Sequence, residues 1–452
     1  MEQNLTAALA VLPSERQLRW QRLEFYGFIH FGLNTFTDQE WGLGNADPCL
    51  FSPTELDARQ WVAALQTAGM RGLILTCKHH DGFCLWPSAY TEYSVKSSPW
   101  HGGQGDLVRE VSEACAQAGL AFGIYLSPWD RHEPSYGDSP RYNQYFLNQL
   151  RELLSNYGEI FAVWFDGACG EGPNGKRQVY DWEAYYALIR ELQPNAVISV
   201  VGPDVRWCGN EAGHCRESEW SVVPASLQDA ERIQEASQKV DDGKFARQFR
   251  SGDQDLGSRE VIKGVRDLVW YPAEVNTSIR PGWFYHARED DQVRSLQELL
   301  EIYYNSVGGN ATFLLNVPPD QRGLIHESDV VRLRELGEAL RATFQTNLAT
   351  NLVPLVSLEL DLGQVQTFDR VVLGEEISLG QRIEAFTLSY DQDGQWVEFF
   401  QGTIMGYKRI CRFEPIAAQR IRLEITQARS YPLISQFGVY LSSDLERRNG
   451  NV

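Results

Sequence analysis

The chain has 452 residues, 43% of them hydrophobic, and a formal charge of −19. That length exceeds what one hydrophobic core of about 250 residues organises, so two domains are expected. The acidic balance argues against nucleic acid and against adhesion to anionic membranes, leaving neutral small molecules and glycans as ligands.

The segment from Met1 to Thr6 lacks a basic region followed by an apolar stretch, and no run of eighteen apolar residues occurs anywhere. A soluble, cytoplasmic protein is therefore expected. Eight cysteines are scattered without a C-x-x-C pair, which suits buried free thiols in a reducing compartment better than a zinc site.

A helical segment near Ser14–Glu24 is followed by alternating strand and helix patterns to about residue 345. The helices expected are Ala58–Ala68, Gly105–Ala118, Arg141–Tyr157, Trp182–Leu192 and Val293–Ser306, with Glu327–Thr343 closing the unit. The apolar runs between them end, six times over, in polar and aromatic residues. These endings are His30, Lys78-His79-His80-Asp81, Tyr125 with Ser127-Pro128-Trp129-Asp130, Asp166-Gly167, Gly202 to Trp207, and Asn316. Short buried strands that carry such residues at their carboxyl ends predict a (β/α)₈-like barrel with a catalytic face at that end. The long stretch from Gly202 to about Val261 has weak periodicity and many charges, so substrate-contacting segments are expected there.

After Thr346-Asn347 the pattern changes to short strands: Val356–Leu360, Phe368–Leu373, Ile383–Tyr390, Gln395–Phe400 and Arg420–Ile425. Asp391-Gln392-Asp393-Gly394 is a hairpin turn between two of them. The expected division is a barrel over residues 1–345 and a galactose-binding-like β-sandwich over 346–452.

Asp166, after Val163-Trp164-Phe165, falls where a barrel strand delivers a carboxylate to the mouth, although an aspartate there also serves as a helix cap. Trp164 shares its face of the strand. His30, His79 and His80 suit hydrogen bonding to a ligand; the rival reading, a metal site, lacks a His-x-x-x-His pattern. Thirteen tryptophans and nineteen tyrosines, several in expected loops, favour a carbohydrate, because aromatic faces stack on sugar C–H faces. A glycoside needs two carboxylates. Glu211, Glu217, Glu219 and Glu274 are all candidates for the second, and spacing does not choose among them.

Together, His30-Phe31-Gly32-Leu33-Asn34-Thr35-Phe36, Glu40-Trp41-Gly42, Lys78-His79-His80-Asp81-Gly82-Phe83, Tyr125-Leu126-Ser127-Pro128-Trp129-Asp130, Val163-Trp164-Phe165-Asp166-Gly167 and Gly308-Gly309-Asn310 with Leu314-Leu315-Asn316 resemble the α-L-fucosidases of glycoside hydrolase family 29. The resemblance implies a barrel followed by a β-sandwich, and a retaining hydrolase with Asp166 as nucleophile. It implies a fucose pocket of His30, Glu40, Trp41, His79, His80, Tyr125 and Trp164, with no metal or organic cofactor. The segment from Gly202 to Gly213, with Asn210-Glu211-Ala212-Gly213, resembles the subgroup specific for branched α-1,3/1,4-linked fucose. That likeness implies Glu211 as acid/base, with Glu274 second in line. A subsite that reads the branch of Lewis-type glycans is then expected from Arg206, Trp207 and Trp220, the partner being a fucosylated oligosaccharide. A non-catalytic glycan-binding protein and a broad-specificity fucosidase are the alternatives.

Overall fold

The computed structural model describes residues 2–172, 174–237, 255–349 and 358–449. Eight parallel strands make the first unit: β1 (Phe25–Ile29), β2 (Gly72–Lys78), β3 (Ala121–Leu126), β4 (Ala162–Phe165), β5 (Val197–Val200), β6 (Arg206–Trp207), β9 (Ala273–Ser278) and β10 (Thr312–Asn316). Their order is β5-β4-β3-β2-β1-β10-β9-β6. An isolated parallel bridge, Ser199 to Val205, brings the two ends together, so the barrel is nearly closed. Residues of β1, β2, β9 and β10 are buried throughout, as expected for strands covered on both faces. Because all eight strands run parallel, their carboxyl ends share one mouth.

The helices largely follow their sequence signals, and their starts are set by side-chain caps. Asp106 accepts from the amide of Arg109 and starts its helix at Leu107 rather than Gly105. Ser295 and Glu298 form a reciprocal capping box, so the helix expected from Val293 begins at Leu296. The first of the expected helices stops at Gln21, before Glu24 takes a left-handed φ of 58°. The stretch after Gly202 is more ordered than its periodicity suggests. It supplies β6, which completes the barrel, an antiparallel ribbon of β7 (Val222–Pro224) and β8 (Leu268–Trp270), and a helix over Ala230–Ala236. Residues 238–254 of that stretch lie outside the described residues.

The second unit is an antiparallel sheet domain in the order β13-β12-β14-β11-β15. Its strands are β11 (Glu359–Glu375), β12 (Ile383–Gln392), β13 (Gln395–Gly402), β14 (Arg409–Ala428) and β15 (Ile434–Tyr440). The strand expected over Val356–Leu360 falls partly outside the described residues, and β11 starts at Glu359. Asp393 and Gly394 both have positive φ, as the two central residues of a tight hairpin require. Phe368, Val371, Ile383, Phe386, Ile421 and Val439 form this domain's own core. The Gly308-Gly309-Asn310 segment docks it on the barrel: Ile410 donates its amide to the Gly308 carbonyl at 3.0 Å, and Tyr407 donates to Asn310 Oδ1 at 2.7 Å.

Candidate active site

The barrel mouth holds a cleft of about 610 Å³, counted to its open end. Asp166 follows β4 directly and reaches this cleft with its side chain 25% exposed. Its Oδ1 accepts from the amide of Ala168 at 2.8 Å, so the turn-capping use of an aspartate is met by one oxygen. Its Oδ2 accepts from the Tyr125 hydroxyl at 3.0 Å, with His80 Nε2 3.7 Å away. One carboxylate therefore closes its own turn and presents its second oxygen to the cavity.

The hydrogen-bond network fixes which nitrogen of two histidines carries the proton. Ser127 Oγ donates to the Trp129 carbonyl at 2.7 Å, so it must accept from His80 Nδ1, also at 2.7 Å. His80 Nε2 is then a bare acceptor. Asn316 Nδ2 donates to the Trp283 carbonyl at 2.8 Å and to Ser278 Oγ, which turns Asn316 Oδ1 toward His30 Nδ1 at 2.8 Å. Burial pulls His30 down to about 3, against the Asn316 hydrogen bond and together with His80. Burial likewise pulls His80 to about 4, opposed by Asp166 and helped by Arg131. His79, stacked on Tyr125 at 5.7 Å, is held well below the ordinary imidazole value, first by burial and then by its histidine neighbours. All three rings are neutral near pH 7, and His30 and His80 offer lone pairs suited to sugar hydroxyls. Among the described residues no group of three or more His, Cys, Asp or Glu side chains is disposed to hold a metal ion.

Aromatic rings make the walls. Trp164 stacks on Tyr125 at 5.3 Å, and Trp41 meets His80 and Trp129 edge-on. Trp207, on β6, donates its indole N–H to Asn276 Oδ1 at 2.9 Å. Glu211 also lines the cleft and accepts from Trp283 Nε1 at 3.2 Å. Burial raises its carboxyl to about 8; the charge of Asp166 adds to the rise, the Trp283 hydrogen bond opposes it, and Glu40 adds a smaller push. Glu40 itself stands behind the wall. Its oxygens accept from the amides of Trp283 and Phe284 at 2.9 and 3.2 Å and meet His286 Nε2 at 2.7 Å.

Besides Glu40, three further expected site residues lie outside the cleft. Arg206 precedes Trp207 on one strand, so the two side chains point to opposite faces. Arg206 turns away from the cleft, 6% exposed, and pairs with Glu219 at 2.6 Å. Trp220 is 3% exposed and packs under the Arg429 guanidinium at 4.1 Å, against the second domain. Glu274 is fully buried on β9, one layer below Asn276 on the same strand face. It accepts from the Trp164 indole at 2.8 Å and from the Tyr26 hydroxyl, and burial lifts it to about 7. Trp164 thus separates Glu274 from the cavity.

The sequence reading set Asn316 among the strand-end residues of the catalytic face and Trp283 among the loop aromatics suited to a sugar, but assigned no role to Phe28, Asn276 or Val200. Asn316 ends β10 and Trp283 lies in an aromatic loop, so both carried a signal. Val200 did not: it lines the cleft with φ at 69°, a left-handed conformation that β-branched residues rarely adopt.

The alpha-L-fucosidase family model matches residues 19–343, and the F5/8 type C domain model matches residues 345–437. Alpha-L-fucosidase 1 of Arabidopsis thaliana is 41% identical over 470 residues, covering 95% of this chain and 87% of its own length. A glycoside hydrolase 29 family member from an unknown rumen bacterium superposes with a TM-score of 0.81 at 43% identity, over 96% of this chain and 78% of that one. A family 29 fucosidase of Ruminococcus gnavus in complex with fucose does so with a TM-score of 0.79 at 31% identity, over 96% of each chain. With the parallel barrel, the appended antiparallel domain and the histidine- and tryptophan-lined cleft at the barrel mouth, these matches show that the chain belongs to the alpha-L-fucosidase family of glycoside hydrolases, family 29.

Proposed function

We propose that this chain is a retaining α-L-fucosidase with Asp166 as nucleophile and Glu211 as acid/base, selective for α-1,3/1,4-linked fucose on branched glycans. The catalytic unit would be residues 1–345, with the sandwich over 346–452. The observation that carries the reading is the contrast between two carboxylates lining one cleft. Asp166 is held by two donors and reaches the cavity, whereas Glu211 keeps its proton to about 8, in part because Asp166 is charged.

In the first step Asp166 Oδ2 attacks C1 of the fucosyl unit while the Glu211 proton passes to the departing glycosidic oxygen. The fucose is then esterified to Asp166, and Glu211 is a carboxylate. In the second step Glu211 takes a proton from water as the water oxygen displaces Asp166 from C1, which regenerates both groups. His30 and His80 accept hydroxyl hydrogens from the sugar, and Trp164 and Trp41 supply apolar faces for its ring and methyl group.

The linkage preference rests on the Asn210-Glu211-Ala212-Gly213 loop and on Trp207 at the rim. Arg206 and Trp220, turned away from the cleft, carry no part of it. Proton NMR of the newly released fucose tests the mechanism: the α-anomer is expected first, and initial β-fucose would overturn retention. Parallel rates on a Lewis trisaccharide and on 2′-fucosyllactose test the linkage. Faster release from the branched sugar is expected, and equal rates would leave a broad-specificity enzyme.

A further inference from the structure

Glu211 sits near the tip of a loop whose two stems are tied together at three levels. Nearest the tip, Asn210 Oδ1 accepts from the amides of Ala212 and His214 at 3.1 and 3.2 Å, and its Nδ2 donates to the His214 carbonyl at 2.9 Å. One level down, Arg216 Nη1 donates to the Cys208 carbonyl at 3.1 Å. At the base, Glu219 receives Arg206 Nη2 at 2.6 Å on one oxygen and the backbone amide of Arg216 at 3.1 Å on the other, with Arg216 Nη1 at 3.3 Å. All three charged side chains of this base are nearly inaccessible, at 7%, 0% and 8% exposure for Arg206, Glu219 and Arg216.

The loop's outer side rests on the second domain. Arg409, the first residue of β14, donates to the Glu217 carbonyl at 2.8 Å, and Thr403 Oγ1 reaches the same oxygen at 3.4 Å. Gln381 accepts from the Ser221 amide at 2.9 Å. None of these groups lines the cleft, so fucose binding does not account for them.

We propose that Glu219 and Arg409 are positioning residues that hold Glu211 at the reach needed to protonate the leaving oxygen. The C-terminal domain thereby acts in catalysis through the loop rather than as a glycan-binding appendage. The inference rests on the reading of Glu211 as acid/base. Two buried guanidiniums converge on the single carboxylate of Glu219, so removing its charge leaves them to repel one another and lets the stems part. Proton transfer is sensitive to such a change, since a misplacement of about 1 Å costs on the order of a hundredfold in rate.

The test compares kcat/KM on a fucosylated trisaccharide, whose leaving oxygen needs a proton, with kcat/KM on α-L-fucosyl fluoride, whose leaving group scarcely does. Wild type, Glu219→Gln, Arg409→Ala and Glu211→Ala are measured side by side, with thermal melting to verify folding. For Glu219→Gln the expected loss is about 10- to 100-fold on the trisaccharide and under about twofold on the fluoride. Arg409→Ala is expected to lose about three- to tenfold with the same selectivity for the poor leaving group. Equal losses on both substrates, or no loss, would overturn the inference. If Glu219→Gln does not fold, Arg409→Ala decides on the same criterion. A Glu211→Ala variant that fails to discriminate the two substrates would instead remove the acid/base reading itself.

Discussion

The two carboxylates of the cleft are delivered by different architectures. Asp166 stands at the end of a barrel strand, paired in register with β3 and β5, and its turn is closed by its own side chain. Glu211 stands on a loop after a two-residue strand and depends on Asn210, Arg216, Glu219 and a second domain for its place. A group that must attack one carbon atom gains from a rigid strand end. A group that first gives a proton and then takes one works from a loop, which can be tuned separately. The contrast implies that changes at the Asp166 end affect every substrate, whereas changes at the Glu211 end affect substrates in proportion to their need for a proton.

The largest expected effect follows from Asp166→Ala, which removes the proposed nucleophile and should lower kcat/KM on all fucosides by on the order of 10⁴-fold or more. A smaller loss, or one confined to poor leaving groups, would break the comparison. Glu211→Ala comes next, with a loss of about 10²–10⁴-fold on glycans. Its wild-type counterpart should show a pH limb. Below about 8 Glu211 carries the proton to be donated, so kcat/KM on glycans falls as pH rises through about 8, and this limb should vanish in Glu211→Gln.

Trp207 and Arg206, neighbours on one strand with opposite outlooks, sharpen the comparison at lower magnitude. Trp207→Ala should raise KM by about tenfold, the effect of losing one stacking face. Arg206→Ala should leave KM alone and cost about 3 kcal/mol of stability in urea unfolding, because the buried Glu219 loses a partner. The smaller of the two stability effects is expected from Gly213→Ala. Its φ of 89° disfavours any side chain, and a Cβ would sit 3.0 Å from Ile302, so a loss of about 1–2 kcal/mol is expected in the same measurement.

The same contrast governs how much was legible in the sequence. Barrel strands announce themselves as apolar runs, and the residue after each run is carried to the mouth, so His30, His79, His80, Tyr125 and Asp166 were readable by position. The hairpin at Asp391 to Gly394 was readable because its turn needs residues that accept positive φ. Strand β6 was not, since two residues carry no periodicity and the pairing that defines them comes from Ala273 and Glu274, more than sixty positions away. Without that strand the opposite outlooks of Arg206 and Trp207 could not be assigned, and both were expected at the substrate. Glu274 was misjudged for a related reason. Strand parity puts it on the cavity side, but depth within the barrel depends on how Trp164 packs above it. The conformation of Val200 left no trace in residue type at all.

Azide rescue tests the central claim, the division of labour between Asp166 and Glu211, most directly. Asp166→Ala and Glu211→Ala are each given an activated fucoside with azide, and the anomeric configuration of the fucosyl azide is determined by NMR. An inverted β-azide from Asp166→Ala and a retained α-azide from Glu211→Ala are the predicted results. A retained azide from Asp166→Ala, or no rescue of Glu211→Ala on a substrate it still cleaves, would contradict the assignment.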